Sequence, residues 1–215
     1  MKERAKLPYD VDTTTNFQVY GGVKKGDSAA RVAVVETHDE VLYYGAQLAE
    51  TFFHSSCGGT LASAEEVWGK NVPYLKIQSS SWCSTAPVYK WQVKIPYTEI
   101  GRRLKLKGVK AMRIVERSKS KRVKTIQITT ARGTKKIRGD KFRMALGAIK
   151  VRSTFFGVAQ KGSAVILTGR GFGHGVGLCQ WGAKLQADKH GTHYRRILEH
   201  YFPGTSLRTV NAQSV

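Results

Sequence analysis

The chain has 215 residues, with 36 Lys and Arg against 15 Asp and Glu, for a formal net charge of +21. It is also 41% hydrophobic and 10% aromatic, which excludes a disordered basic tail, because such tails lack the apolar residues that offset chain entropy. No apolar run approaches the roughly 18 residues that span a bilayer, and Met1-Lys2-Glu3-Arg4 has no apolar stretch behind it that would make a signal peptide.

In chain order, Arg31–Thr37 and Glu40–Tyr44 read as strands joined by a turn at His38-Asp39. Phe52-Phe53-His54-Ser55-Ser56-Cys57-Gly58-Gly59-Thr60 then runs an aromatic strand into a small polar cluster and a double glycine. Residues 95–104 have apolar positions at helical spacing. Ala111–Glu116 and Val123–Ile128 alternate as a hairpin about Ser118-Lys119-Ser120, and Asp140 is placed to cap a helix through Phe142 and Leu146 that Gly147 stops. Ala164–Thr168 is a further strand. It leads into Gly169–Ala183, where alternate glycines leave one face of an extended segment bare, so that another backbone or a ligand can come close. A helix from near Leu178 to Gly191 follows, with Gln180 in its first turn. A last helix, capped by Thr192, carries Tyr194, Ile197, Leu198 and Tyr201 and ends before Pro203-Gly204. The fold class expected is α+β: a β-rich core with a few helices, interrupted by a small basic insertion of helix, hairpin and helix.

The charge marks that insertion. Residues 92–158 hold 20 Lys and Arg against Glu99, Glu116 and Asp140, a net +17, whereas the other 148 residues carry only +4. The expected organisation is a core of residues 1–91 and 159–215 with an inserted basic domain at 92–158. So dense a positive field attracts anions. Nucleic acid and the carboxylates of a cell-wall polymer satisfy it equally well, and a merely solvated surface is the bland alternative.

The two motifs have their own alternatives. His, Ser and Cys within four positions suit acid–base work, nucleophilic attack by Cys57 or metal ligation, or simply a buried hydrogen-bonded turn. The glycine run lacks the G-x-G-x-x-G spacing of a dinucleotide loop and the Lys-Ser/Thr of a P-loop, leaving His174 as the residue to which a function attaches. Cys57, Cys83 and Cys179 are an odd number. Cys57 and Cys83 can pair as a disulfide, remain thiols, or join His54 in a zinc site, since His54-x-x-Cys57 has workable ligand spacing.

Taken together, these motifs resemble the stage II sporulation protein D and amidase enhancer family. The resemblance is carried by Tyr9-Asp10-Val11, Gln18–Gly22, the His54–Gly59 motif, Glu65-Glu66-Val67-Trp68-Gly69, Pro73-Tyr74-Leu75, Phe142–Gly147, the glycine run through Ala183, and Ile197–Thr205. It implies a peptidoglycan lytic transglycosylase that cuts glycan strands, preferably stripped of stem peptides, to 1,6-anhydro products. It also implies an exported or membrane-anchored location in the cell envelope, with other wall hydrolases or membrane-bound sporulation proteins as partners. His54, Ser55, Ser56, His174 and Gln180 are the positions expected to line the glycan groove, and some relatives carry zinc nearby.

In that family one Glu protonates the glycosidic oxygen and then takes the proton of the sugar's 6-hydroxyl. That Glu lies in a Glu-Met-Pro motif upstream of the Tyr-Asp-Val segment. Only eight residues precede Tyr9, so the expectation is that the catalytic segment is missing, and no catalytic residue is assigned. Glu36, Glu40, Glu50, Glu65 and Glu66 have no spacing that recommends any of them. The alternatives are a non-catalytic wall-binding or amidase-enhancer module and, third, a nucleic-acid binder acting through the basic insertion.

Overall fold

A computed structural model describes residues 28–210. The Tyr9–Val11 and Gln18–Gly22 motifs lie outside the described residues. Within them the architecture is α+β. Segments 28–41 and 208–210 belong to one compact unit and Leu42–Leu207 form the other. Among the described residues no helix is long and apolar enough to cross a membrane.

In chain order the elements are α1 (Ser28–Glu36), β1 (Glu40–Tyr44), β2 (Gln47–Leu48), β3 (Phe53–His54), β4 (Thr60–Leu61), α2 (Ala64–Trp68) and β5 (Gln78–Ser79). They continue with β6 (Lys90–Pro96), α3 (Tyr97–Leu104), β7 (Val109–Arg117), β8 (Val123–Thr130), β9 (Gly133–Arg138) and α4 (Gly139–Leu146). The last are β10 (Phe156–Lys161), β11 (Ala164–Arg170), β12 (Leu178–Cys179), α5 (Gln180–His190), α6 (Tyr194–Tyr201) and β13 (Ser206–Thr209).

Several local expectations are corrected. Residues 31–37 form helix α1 and its closing turn, not a strand. None of its residues is buried, and the helix preference of Ala29, Ala30 and Ala33 favours the helix. The Thr37 hydroxyl closes the helix by donating to the Ala33 carbonyl at 2.7 Å. The expected hairpin is a three-stranded antiparallel sheet, β7-β8-β9. The N-cap of α4 is Arg138, with Asp140 in the first turn accepting two bonds from the Arg138 guanidinium. α6 is capped by His193 rather than Thr192.

Leu42–Leu207 contains two hydrophobic clusters. One gathers Leu61, Tyr74, Leu75, Val176, Tyr201 and Phe202 with the three cysteines. The other packs α3 and α4 on the β7-β8-β9 sheet through Ile100, Met112, Ile126, Phe142 and Leu146, and takes in Trp91, Ile95, Val165 and Leu167 from β6 and β11. β6, β11 and β10 form one antiparallel sheet, with Trp91 opposite Gly169.

The glycine run is not an extended strand with a bare face. β11 ends at Arg170, and Gly171, Gly173, Gly175 and Gly177 all have left-handed φ, from 71° to 112°. The close approach is real, however. Several backbone groups of the run are held by different parts of the chain: Arg170 N–H by Phe155, Gly171 N–H by Tyr89, Gly173 N–H by Arg152, and Leu178 N–H by Phe52. Phe172 and Ser56 exchange both backbone bonds, at 2.7 and 3.0 Å. A Cβ on Gly175 would lie 2.1 Å from a guanidinium nitrogen of Arg122. Gly175→Ala is therefore expected to cost about 2–4 kcal/mol, combining clash and positive φ. Gly162→Ala, left-handed but in open space, should cost only about 1 kcal/mol. Denaturant midpoints of the two variants check this, and equal losses would contradict it.

Candidate functional site

The site grows from one crossing. β3 and β12 pair in parallel, with Leu178 opposite Phe53 and Cys179 opposite His54, so the two motifs, more than a hundred residues apart, share one short sheet. His54 is 4% exposed and its Nδ1 lies 3.1 Å from the Val176 carbonyl. A carbonyl can only accept, so Nδ1 carries the proton and Nε2 keeps its lone pair. Nε2 is buried with no hydrogen-bond partner among the described residues. His174 Nδ1 accepts from the Val176 N–H at 3.1 Å, which fixes its neutral tautomer as well. The imidazoles stand 5.5 Å apart, and the Trp68 ring lies 5.1 Å from His174 and 4.6 Å from Phe52. Trp68 is 45% exposed, so an open indole face adjoins a neutral histidine pair.

Both imidazoles are held neutral. Burial, then the neighbouring His174 and the Arg122 cation, lower the His54 pKa to about 3. Burial also lowers that of His174 to about 4, partly offset by a backbone hydrogen bond at Phe53.

Of the other expected positions, Ser55 contributes its carbonyl, which accepts from the Trp181 N–H at 3.0 Å, and Ser56 is buried in the backbone exchange with Phe172. Gln180 is exposed at the start of α5; it is joined to the cluster through its chain neighbours, and the structure gives its side chain no bond to the histidines.

Arg122 was missed. It leaves the β7–β8 turn of the basic sheet, is 4% exposed, and donates from Nη2 to the Cys57 carbonyl at 2.9 Å. Its guanidinium lies over the Phe155 ring at 5.2 Å. Burial lowers its pKa to about 10, which leaves it a cation at neutral pH. Two residues earlier, Ser120 N–H donates to Glu66 Oε1 at 2.8 Å. Nothing in one sequence separates Arg122 from the other nineteen cations of its segment. Trp68, by contrast, stood within a motif that carried the family resemblance.

The cysteines are all free and buried. Cys57 and Cys83 approach to 3.3 Å between sulfurs, beyond the roughly 2.05 Å of a disulfide. One ligand atom each from His54, Cys57 and Cys179 lies within 4.8 Å of the others, so the three-residue cluster contains Cys179 where sequence spacing pointed to Cys83. Hydrogen bonds from Cys179 and Cys57 hold the Cys83 thiol well below the ordinary range, while the same contacts raise Cys179. Backbone N–H groups of Cys57 and Gly182 point at Cys179 Sγ. Thiol donors, an orphaned Nε2 and a carbonyl orienting the far side of the ring form a donor set that fits Zn²⁺.

The fold and site define a small α+β protein in which two distant loops join to present an aromatic face beside paired neutral histidines. The chain belongs to the family described as "Domain of unknown function (DUF8618)", whose profile matches residues 69–177, just over half its length. It is homologous to stage II sporulation protein D of Bacillus subtilis, with 32% identity over 94% of this chain and 61% of that protein. It is likewise homologous to the amidase enhancer of the same organism, with 28% identity over 92% of this chain and 35% of that protein. An uncharacterized protein of Brachyspira hyodysenteriae is 34% identical over 98% of this chain and 57% of its own length. The chain thus spans between about a third and three fifths of these relatives.

Two outcomes are expected. A histidine whose folded pKa is depressed contributes stability that is fully present above its unfolded value of about 6.5 and is lost as pH falls. The folded state should therefore weaken from pH 6.5 down through about 4, and His174→Asn should flatten part of that slope in denaturation midpoints taken across pH. Protein purified without chelator should carry about one equivalent of zinc, and Cys179→Ser should lose it. Elemental analysis giving less than about a tenth of an equivalent would exclude the ion.

Proposed function

We propose that the protein binds peptidoglycan glycan strands in the cell envelope, with His54, Ser55, Ser56, His174 and Gln180 lining the groove. The carrying observation is the exposed Trp68 ring set against the neutral His174–His54 pair. Sugar recognition needs a flat apolar face for the ring, and Trp68 beside the neutral His174 supplies it. The homology to stage II sporulation protein D and the amidase enhancer supports a cell-wall role. We take residues 92–158 as an inserted basic module that presents positive charge to wall carboxylates, built on a hydrophobic cluster it shares with Trp91, Val165 and Leu167.

The described histidines bind and orient, because groups neutral at pH 7 with pKa values near 3 and 4 hold no proton for a leaving oxygen. We assign the 1,6-anhydro cleavage to no described residue. This separates glycan cleavage from the second reading, a non-catalytic wall-binding module in keeping with the name "Amidase enhancer" of one relative.

Stripped glycan oligomers should bind this chain, and Trp68→Ala or His174→Ala should weaken binding about tenfold, or about 1.4 kcal/mol, with Ile149→Ala as an exposed control. Calorimetric titration reads the affinity, and mass spectrometry of the same mixtures should find no 1,6-anhydro ends. Such ends would place a catalytic acid among these residues. Tight duplex-DNA binding with no affinity for glycan would overturn the reading altogether.

A further inference from the structure

A concavity lies between the Ser63–Ile77 segment and the β7–β8 turn. It is a cleft of about 580 Å³, and none of the five expected groove residues lines it. Its size falls within the range of small-ligand sites, about 300–1,000 Å³. Its walls differ in kind. Pro73 and Ile77 give an apolar side, while Lys76, Arg117, Lys119 and Lys124 bring four cations against two acids, Glu65 and Glu66.

These cations are not all neutralised within the protein. Lys124 is paired with Glu116 at 2.6 Å. Arg117 donates to the carbonyls of Lys121 and Phe156 and has no ion pair among the described residues. Lys76 and Lys119 have no ion pair among the described residues. Of the acids, Glu66 already accepts from the Ser120 N–H through Oε1. The cationic wall is also fixed in place. Ser120 and Arg122, on the turn that carries Lys119, are bound respectively to the Glu66 carboxylate and the Cys57 carbonyl, so the turn is tied to the segments it faces.

We infer that this cleft is a subsite for a carboxylate-bearing sugar unit of the glycan. The inference rests on the glycan reading given above and adds to it the place where the acid-substituted sugar is distinguished from the plain N-acetylated one. The apolar wall receives a ring face, and Lys119 and Lys76 receive the carboxylate, with Arg117 adding field. Lysine is a suitable residue for this, since a mobile point charge tolerates a carboxylate on a flexible substituent.

The test compares two uncut oligomers of equal length, stripped muramic-containing glycan and chitooligosaccharide, which has no carboxylate. Affinities are measured at low and moderate salt for wild type, for Lys76→Glu/Lys119→Glu, and for Lys161→Glu, an exposed cation at the β10–β11 turn that changes net charge elsewhere. Wild type should favour the muramic oligomer about tenfold at low salt. The double variant should reduce that preference to about twofold while leaving chitooligosaccharide affinity unchanged, and Lys161→Glu should do neither. Equal wild-type affinity for both oligomers would overturn the subsite while leaving glycan binding intact. So would a loss in Lys161→Glu as large as in the double variant, which would mean that only the general field acts. A preference that appears only when stem peptides are attached would move the carboxylate to the peptide and overturn the sugar assignment. Binding of neither oligomer would sink the glycan reading itself, a different result from any of these.

Discussion

The structure depends on the exchange of backbone hydrogen bonds between Ser56 and Phe172. It fastens the His54 motif to the glycine run, and the features of the site follow from that fastening. The parallel β3–β12 pair extends it on one side and the Gly171–Tyr89 bond on the other. A backbone that turns repeatedly through left-handed φ would ordinarily leave polar groups unpaired in the interior, at a cost of several kcal/mol. Here its bonds are divided among Phe52, Ser56, Tyr89, Arg152 and Phe155. The glycines are needed because these neighbours occupy the space side chains would take. At Gly171 a Cβ would lie 2.6 Å from the Ser56 carbonyl oxygen.

Arg122 shows what the basic segment does besides carry charge. A guanidinium buried with Nε and Nη1 lacking partners among the described residues is costly to desolvate. What offsets it is the Cys57 carbonyl, the Phe155 ring and the nearby Glu66 carboxylate. One cation of the twenty is thus a fastener, and most of the others lie at the surface, where they can act on solvent and ligand. The same fastener sits close enough to depress the pKa of both histidines, so the neutral state of the site is partly set by a residue of the basic sheet.

Much of this was legible in the sequence. Period-two alternation placed β7, β8 and β11, helical spacing placed α3 and α6, and the positive-φ glycine at 191 ends α5 as its type suggested. That another backbone or a ligand approaches the glycine run closely was legible from its missing side chains; that the partner is the His54 motif was not. What failed did so for local reasons. Val32, Val34 and Val35 read like a strand but are exposed on a helix, which the neighbouring alanines favour. The alternate glycines 171–177 mimic an extended face but express left-handed turns. β9, Gly133–Arg138, was missed because Lys135, Lys136 and Arg138 hide its alternation. Arg122 was invisible because its type and neighbourhood matched a solvated surface.

The antiparallel pairing of β6 with β11 has a consequence for how the molecule assembles. The two halves of the site are about 120 residues apart, and closing so long a loop directly is entropically slow. Trp91 and Gly169 are partners, however, with the intervening chain folded on its own cluster between them. Once that stem is zipped, the loop still to be closed between Ser56 and Phe172 shrinks to the residues between Ser56 and Trp91 and the two beyond Gly169. The β6–β11 stem then serves as a folding bracket, shortening a distant encounter and carrying Arg122 to Gly175 as the bracket shuts.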